Sequence, residues 1–463
     1  MFSKLAVEFQ ETLKSLREHG SFRRNILINS AGTSSAYLLG FVLSPIIARI
    51  YPPEAYGLYA LFNAFAASLT LMASLDYVNA LLLPRTFKDF KSLFQLALIL
   101  IVTTLFLSIA SIYFFKTEIL AFFSAEALTG LITLVPVMVL LSAVNRTLEL
   151  WNIRTKEFKQ GAKAKVVGIV GAKLVTIAHG ALNAGNPLGF ILGDLISKPI
   201  TTVSLLSKSI KNEWRGLLNF SFKGIIAAAK EYRNYPLYNL PANTLIGLGG
   251  QLPVYLLALD FNSAVVGHFS LAVSLINAPT QLLGVAIAQV FFQRASETYH
   301  SNLNELRSFT RKFFKRLIYI AVVPFSLIVV YGDVLFAFVF GENWQLAGVF
   351  AGYLSVMAYA TFISTSISSL LRVFRLEKLQ FYIVLSGAFL LTIGMFISLK
   401  FETYYALVIA YSCISFLLQF TLVAITLKKT QVRALGLLAE SIIALFLMVA
   451  FMYSLRMIWP LIF

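Results

Sequence analysis

Residues 44–62 read "SPIIARIYPPEAYGLYALF". An apolar run containing Pro45 ends on Arg49, a Pro52–Pro53–Glu54 turn follows, and Gly57 opens a second apolar run. From Leu252 a related phrase returns, "LPVYLLALDFNSAVVGHFSLAVSLINAP", with Pro253 in its first run and Gly267 opening its second. Two such hairpins about two hundred residues apart are the mark of an internal repeat, and repeats of this kind are common in secondary transporters.

What the hairpins are made of follows from the rest of the chain. Of 463 residues, 58% are hydrophobic and 13% charged, against roughly 25% charged in a soluble domain. Mean hydropathy is +0.79, and 41 Phe and 20 Tyr make much of the surface apolar. The apolar runs repeatedly exceed the ~18–20 residues that span a bilayer, which excludes a soluble α/β protein. Only helices and closed barrels satisfy their backbone in lipid, and these runs neither alternate nor stay short enough for barrel strands.

Thirteen helices are expected, over 23–50, 56–83, 90–115, 126–150, 160–183, 187–207, 234–259, 263–293, 306–331, 345–372, 376–399, 402–427 and 433–456. The fold class is all-α, a polytopic integral membrane protein with two pseudo-symmetric lobes of about six spans each and 12–14 spans in total. The expected divisions are 1–207 for the N-terminal lobe, 208–233 for a cytoplasmic connection and 234–427 for the C-terminal lobe. Residues 428–463 form an extra helix or hairpin. The connection sets Leu217, Leu218, Phe222, Ile225 and Ile226 against Lys211, Arg215, Lys223 and Lys230, which suits an interfacial helix, with a hydrated linker as the alternative.

The charges test this topology. A net charge of +17 in a soluble protein would suggest nucleic acid. With the N-terminus in the cytoplasm, however, most of the 38 Lys and Arg fall on the inner connections, among them Arg85, Arg154, Lys163, Arg233, Arg311, Lys312, Lys378 and Lys428. The outer turns hold few, and the 332–344 stretch is the longest of them. This is the positive-inside pattern, and it explains the charge without nucleic acid. The lone Cys413 gives no disulfide framework. Residues 1–22 have no apolar core or cleavage site of a signal peptide and are read as a short amphipathic helix on the membrane face or a loose tail.

Charges inside spans are costly, about 3 kcal/mol each at mid-bilayer, so they face a partner or a wet cavity. Arg49, Arg146, Lys173 and Lys198 are the four intramembrane cations. Arg49 alternatively snorkels to headgroups. Arg146 and Glu149, three apart, form an internal pair. Lys173 has no acid on its own turns. Asp194 and Lys198 are four apart in the favourable order, and Asp76 sits one turn from Asn79. The C-terminal half offers Asn243, Gln251 and other neutral polar groups, which either glue helices together or meet hydroxyls. His179 and His268 are read as structural, with proton sites as the alternative. Cations opposite amides suit an anionic, hydroxyl-rich substrate. The substrate-binding candidates are Arg49, Arg146, Lys173, Lys198, Asp76, Asp194, Asn243 and Gln251.

Walker-loop, HExxH and CxxC motifs are missing, so no catalytic residue, metal or cofactor is expected. "GLGG" (247–250) lies in an apolar helix and reads as a packing or hinge site. Without an ATPase motif, transport draws on a gradient, of protons, sodium or the substrate itself.

Four stretches together resemble the polysaccharide synthesis and O-antigen flippase family, in the superfamily that holds the multidrug and toxic compound extrusion transporters. They are 20–62, with Arg24–Asn25, Arg49, Pro53–Glu54, Gly57 and Tyr59; "ALLLP" (80–84); 241–272 with "AQVFFQRASE" (288–297); and "LFAFVFGENWQLAG" (335–348). Relatives often carry Arg–Tyr–Glu where this chain has Asp76–Tyr77–Val78. The resemblance implies a central cavity that opens alternately to the two membrane faces. It implies a flippase, not an enzyme, for a polyprenyl-diphosphate-linked oligosaccharide in the bacterial inner membrane, serving O-antigen, capsule or exopolysaccharide synthesis. It also implies a polysaccharide polymerase and a chain-length regulator as partner proteins beside the lipid bilayer. The rival within the superfamily is a cation-coupled drug exporter, which would want acids in its cavity.

Overall fold

A computed structural model describes residues 22–462 except Leu218. The amphipathic stretch expected over 1–22 thus lies almost wholly outside the described residues. Among the described residues there is no strand, and twelve helices are long and apolar enough to cross a membrane. A thirteenth, α1 (Phe22–Ile50), contributes the shorter apolar stretch Ser34–Ile50.

The N-terminal spans are α1, α2 (Pro53–Met72), α3 (Phe87–Phe122), α4 (Val135–Arg154), α5 (Phe158–Leu182) and α6 (Leu188–Leu205). Two short helices, α7 (Lys208–Leu217) and α8 (Phe222–Glu231), lead to α9 (Leu240–Asp260). The next span joins α10 (Ser263–Pro279) to α11 (Val285–Ser301) through a π-turn at Thr280–Gly284. Then come α12 (Leu303–Phe340), α13 (Gln345–Ile367), α14 (Glu377–Leu399), α15 (Tyr404–Lys429) and α16 (Ala434–Ile462).

The helices begin where capping side chains permit. Asn262 accepts from the Val265 amide at 3.0 Å, Asn302 from those of Asn304 and Glu305, and Thr403 from that of Ala406. Each bond satisfies a donor that the first helical turn leaves free. Pro45 removes an amide from inside α1, and the Ser44 hydroxyl donates instead to the Phe41 carbonyl at 2.6 Å, which keeps the helix intact in lipid.

Three expectations change. The helix expected over 56–83 stops at Met72. Leu75 and Asp76 turn left-handed, at φ 47° and 65°, and Tyr77–Leu82 continues as a 3₁₀ turn. The Thr104 hydroxyl of α3 donates to the Ala73 carbonyl at 3.0 Å and helps satisfy the break. The long outer stretch expected from 332 is mostly helix, because α12 runs on to Phe340. Its one acid in that stretch, Asp333, is paired with Arg456 of α16 at 2.7 Å, so its charge does not end the helix. The connection is two helices rather than one, with Ser221 capping α8.

The connection lies against the N-terminal bundle. Ile210, Leu217, Ile225 and Ala228 bury among Phe90, Phe94, Trp151 and Tyr77. The Gln95 side chain donates to the Leu217 and Asn219 carbonyls. The connection's other face leaves Phe220, Phe222 and Ile226 exposed beside Lys211, Lys223 and Lys230.

Within each bundle, helices approach through small residues, as membrane helices do. In the N-terminal half α5 and α6 cross with Gly168 against Thr201 and Gly193 against Ala172 and Thr176. In the C-terminal half α12 and α13 cross at Gly332 and Gly348. Between the bundles, α2 packs along α10 and also meets α9. The Ser68 and Tyr255 hydroxyls join α2 to α9 at 2.8 Å, and Gly247 of the "GLGG" stretch takes Leu71 against its backbone. On the other side, the Ser34 hydroxyl of α1 reaches the Leu282 carbonyl at 3.4 Å.

Candidate functional site

The outer end of α1 is tied to the C-terminal half. Arg49 donates through Nε to the Val339 carbonyl at 3.3 Å and through a terminal nitrogen to the Phe338 carbonyl at 3.0 Å. These are carbonyls of the last turn of α12, which lack helical donors and carry the negative end of the dipole. Trp344 Nε1 donates to the Ala48 carbonyl at 2.8 Å beside it. The Trp344 ring packs edge-on against Tyr56, which leans on Phe190. In this conformation Arg49 is a clamp between the two halves at their outer ends.

Asp76, Arg146 and Asn243 come together at the break in the second span. Asp76 Oδ1 accepts from Asn79 Nδ2 at 2.6 Å and from Asn243 Nδ2 of α9 at 3.1 Å. Asn79 Oδ1 in turn accepts from Arg146 of α4 at 3.3 Å, and Arg146 faces Glu149 at 3.6 Å. Asp76 is 6% exposed, whereas the Arg146 side chain is 54% exposed. The expected Arg146–Glu149 pair is therefore present as part of a chain of polar contacts that crosses from one half to the other.

Lys173 and Asp194 sit on neighbouring helices, α5 and α6, close enough to feel each other's charge but not in an ion pair among the described residues. Asp194 instead accepts from the Tyr59 hydroxyl of α2 at 2.5 Å. Lys198 likewise has no ion-pair partner there, and its carbonyl accepts from Asn145 and Thr202. Asp194 and Lys198, expected to pair along α6, therefore look elsewhere. Gln251 lies half-buried in α9, one turn before Tyr255.

His268 is buried with its ring 5.5 Å from Trp344, and His179 is packed near Tyr51 and Gly189; both fit the structural reading. No group of three or more His, Cys, Asp or Glu capable of holding a metal occurs among the described residues.

The sequence singled out Tyr59 only as a marker of family resemblance, and Trp344 not at all as a contact of α1. Tyr59 and Asp194 are 135 residues apart, and Trp344 and Ala48 are 296 apart. A single sequence carries no signal for either pair.

Two bundles of long apolar helices that carry charged side chains between their spans define a polytopic all-α membrane protein. The pattern of the family described as "polysaccharide biosynthesis protein" matches residues 46–348, and the chain belongs to that family. No curated protein matches the chain in sequence. Its fold is that of several solved transporters. A structure titled lipid II flippase MurJ, in an inward closed conformation, superposes with a TM-score of 0.71 at 13% identity, covering 94% of this chain and 100% of that one. An inward-facing multidrug resistance MATE family transporter of the MOP superfamily gives 0.61 at 13% identity, covering 84% and 94%. A MOP superfamily transporter from Pyrococcus furiosus, whose title describes a binding pocket of reversed polarity, gives 0.55 at 15% identity, covering 88% and 95%.

Proposed function

We propose that the chain flips a polyprenyl-diphosphate-linked oligosaccharide repeat unit from the inner to the outer leaflet of a bacterial inner membrane, N-terminus in the cytoplasm. The observation that carries this reading is the set of cations on three adjacent spans. Lys173 and Lys198 have no ion-pair partner among the described residues, and Arg146 has an open side chain. A chain that keeps such charges in a membrane gains from an anion that meets them, and a diphosphate is one. A cationic drug would be repelled. Family membership supplies the glycan, and the flippase fold supplies the movement.

In this reading Arg146, Lys173 and Lys198 bind the diphosphate or acidic sugars. Asn243 and Gln251 meet hydroxyls from the facing half, and Asp194 tempers the charge of Lys173. Arg49 serves the outer clamp in the conformation described, and substrate when the clamp is open. The lobes divide at 208–233, which rests on the inner leaflet. A polysaccharide polymerase and a chain-length regulator are the protein partners this activity would serve.

The test is flipping of a fluorescent polyprenyl-diphosphate glycan by the purified protein in liposomes, beside Lys173→Ala checked for folding. Flipping that falls with the substitution supports the reading. No flipping with several glycans, together with export of a cationic dye, would assign the chain to drug export.

A further inference from the structure

The last span is fastened to the C-terminal bundle at two levels. Toward its outer end Arg456 donates to both carboxylate oxygens of Asp333 on α12, at 3.0 Å and 2.7 Å, and to the Val330 carbonyl. From there back to Ser441 the helix runs about 22 Å, and the Ser441 and Tyr359 hydroxyls join it to α13 at 2.7 Å. Between these depths α12, α13, α15 and α16 leave a cavity of about 350 Å³, a volume in the range of small-ligand pockets. Val330, Val349, Val356, Ile409 and Cys413 line it, and the Asp333–Arg456 pair stands at its outer end.

The cavity has the depth of one lipid leaflet. On α13, which starts at Gln345, its wall runs from Gly348 to Val356. At the rise of a helix the deepest wall lies about 17 Å below that start, against ~15 Å for half of a bilayer's hydrocarbon core. The cavity opens sideways, because Tyr353, Ile409 and Cys413 are exposed. The Ser412 hydroxyl in its wall is spent on the Tyr353 carbonyl at 2.7 Å. Below the ion pair the side chains therefore offer a ligand little but apolar surface, which suits a hydrocarbon chain and penalises a polar group.

The ion pair decides what that chain is attached to. A guanidinium carries five N–H donors, and three of those on Arg456 are in use. Two remain, on a side chain 36% exposed, and Asp333 beside it is 21% exposed. An anion alone would be repelled by Asp333, and a cation alone by Arg456. A headgroup that carries both signs answers both. Its phosphate takes charge-assisted bonds from the guanidinium. A primary ammonium brings three donors to the carboxylate, whereas a trimethylammonium brings none. We infer that the cavity is a binding site for an outer-leaflet phospholipid whose headgroup joins a phosphate to a primary ammonium, with one acyl chain in the cavity. The bound lipid fills the space between α16 and the bundle and holds the thirteenth span to the C-terminal half. None of the cations assigned to flipping takes part, and the test needs no glycan, so its failure and that of the flippase reading are distinct.

The experiment uses the full chain in detergent, washed free of lipid. It is offered phosphatidylethanolamine, phosphatidylcholine and phosphatidylglycerol with the same acyl chains, and bound lipid is counted by native mass spectrometry. The expected result is one phosphatidylethanolamine per chain, held about tenfold more tightly than either of the others. Equal retention of the three overturns the inference. Arg456→Met with Asp333→Leu, which strands no charge, is expected to bind the three alike, and an ethanolamine preference that survives it overturns the inference as well. If that double variant does not fold, Val356→Phe keeps the ion pair and fills the space of the acyl chain. Retention of phosphatidylethanolamine is then expected to fall about tenfold, and unchanged retention counts against the site. Displacement of phosphatidylethanolamine by an equimolar polyprenyl phosphate would give the cavity to an isoprenyl chain and overturn its assignment to a phospholipid.

Discussion

Gly57 and Gly267, the paired glycines of the repeated hairpins, pack against each other. A Cβ built on either would lie 3.0 Å from the other's backbone nitrogen and would overlap the carbonyl oxygen of Ser263 or of Pro53. The second helix of each lobe thus starts at the same point on the outer side, and only hydrogens on those two Cα atoms let the two starts touch. The contact joins the two lobes at that point.

Adding a methyl at this crossing will keep the outer ends apart. Overpacking of a tight contact costs roughly 1–3 kcal/mol, and each 1.4 kcal/mol moves a two-state equilibrium about tenfold. Gly57→Ala and Gly267→Ala are each expected to lengthen the distance between spin labels at Leu182 and Phe401, on the outer ends of the two lobes. Flipping is expected to fall about tenfold because the cycle stalls open. A Gly40→Ala control, where a Cβ meets nothing within 4 Å, is expected to leave the distance unchanged.

Arg49 joins the same two lobes by a different force. Its two bonds to the end of α12 are of the cation-to-helix-terminus kind, worth about 1 kcal/mol. Arg49→Ala is expected to shift the Leu182–Phe401 distance toward the open value, by about a fivefold change in population, with Arg49→Lys between the two. If Arg49 instead met substrate in the closed conformation, the distance would stay put and the glycan concentration for half-maximal flipping would rise.

How much of this was open to the sequence can be judged from particular residues. The spans followed from apolar length, since a lipid environment leaves the backbone few choices. The matched roles of Gly57 and Gly267 followed from their place in two similar phrases. Which groups face one another did not. Arg49 carries the charge expected of a substrate contact, yet its bonds go to Phe338 and Val339, 289 and 290 residues away. The break at Asp76 was equally hidden, because no glycine or proline marks it and Thr104, which supports it, lies on another helix.

The pair Asp333–Arg456 fastens the thirteenth span to the ninth. Arg456 donates to both carboxylate oxygens, at 3.0 Å and 2.7 Å, and to the Val330 carbonyl. Removing one member leaves the other charged between helices, a loss of about 3 kcal/mol for a buried pair, less here because both side chains are partly exposed. Arg456→Met is expected to lower the melting temperature of the detergent-solubilised protein by several degrees. Arg456→Met with Asp333→Leu is expected to recover most of that loss, since the stranded charge is gone.

Tyr59, Asp194 and Lys173 allow the charge reading of the N-terminal half to be tested by sign. The Tyr59 hydroxyl donates to the Asp194 carboxylate, so Tyr59→Phe strips a charged acceptor of that donor and is expected to destabilise by about 2 kcal/mol. Asp194→Asn has the opposite electrical effect, because it removes the acid that offsets Lys173 and leaves the cation stronger. If Lys173 receives an anion, Asp194→Asn will lower the glycan concentration for half-maximal flipping while Lys173→Ala raises it, by about tenfold for an interaction of 1.4 kcal/mol. If the three residues only hold α2, α5 and α6 together, both substitutions will lower stability and neither will move the half-maximal concentration. Measuring flipping against glycan concentration for the two variants, with melting temperature beside it, separates the two cases.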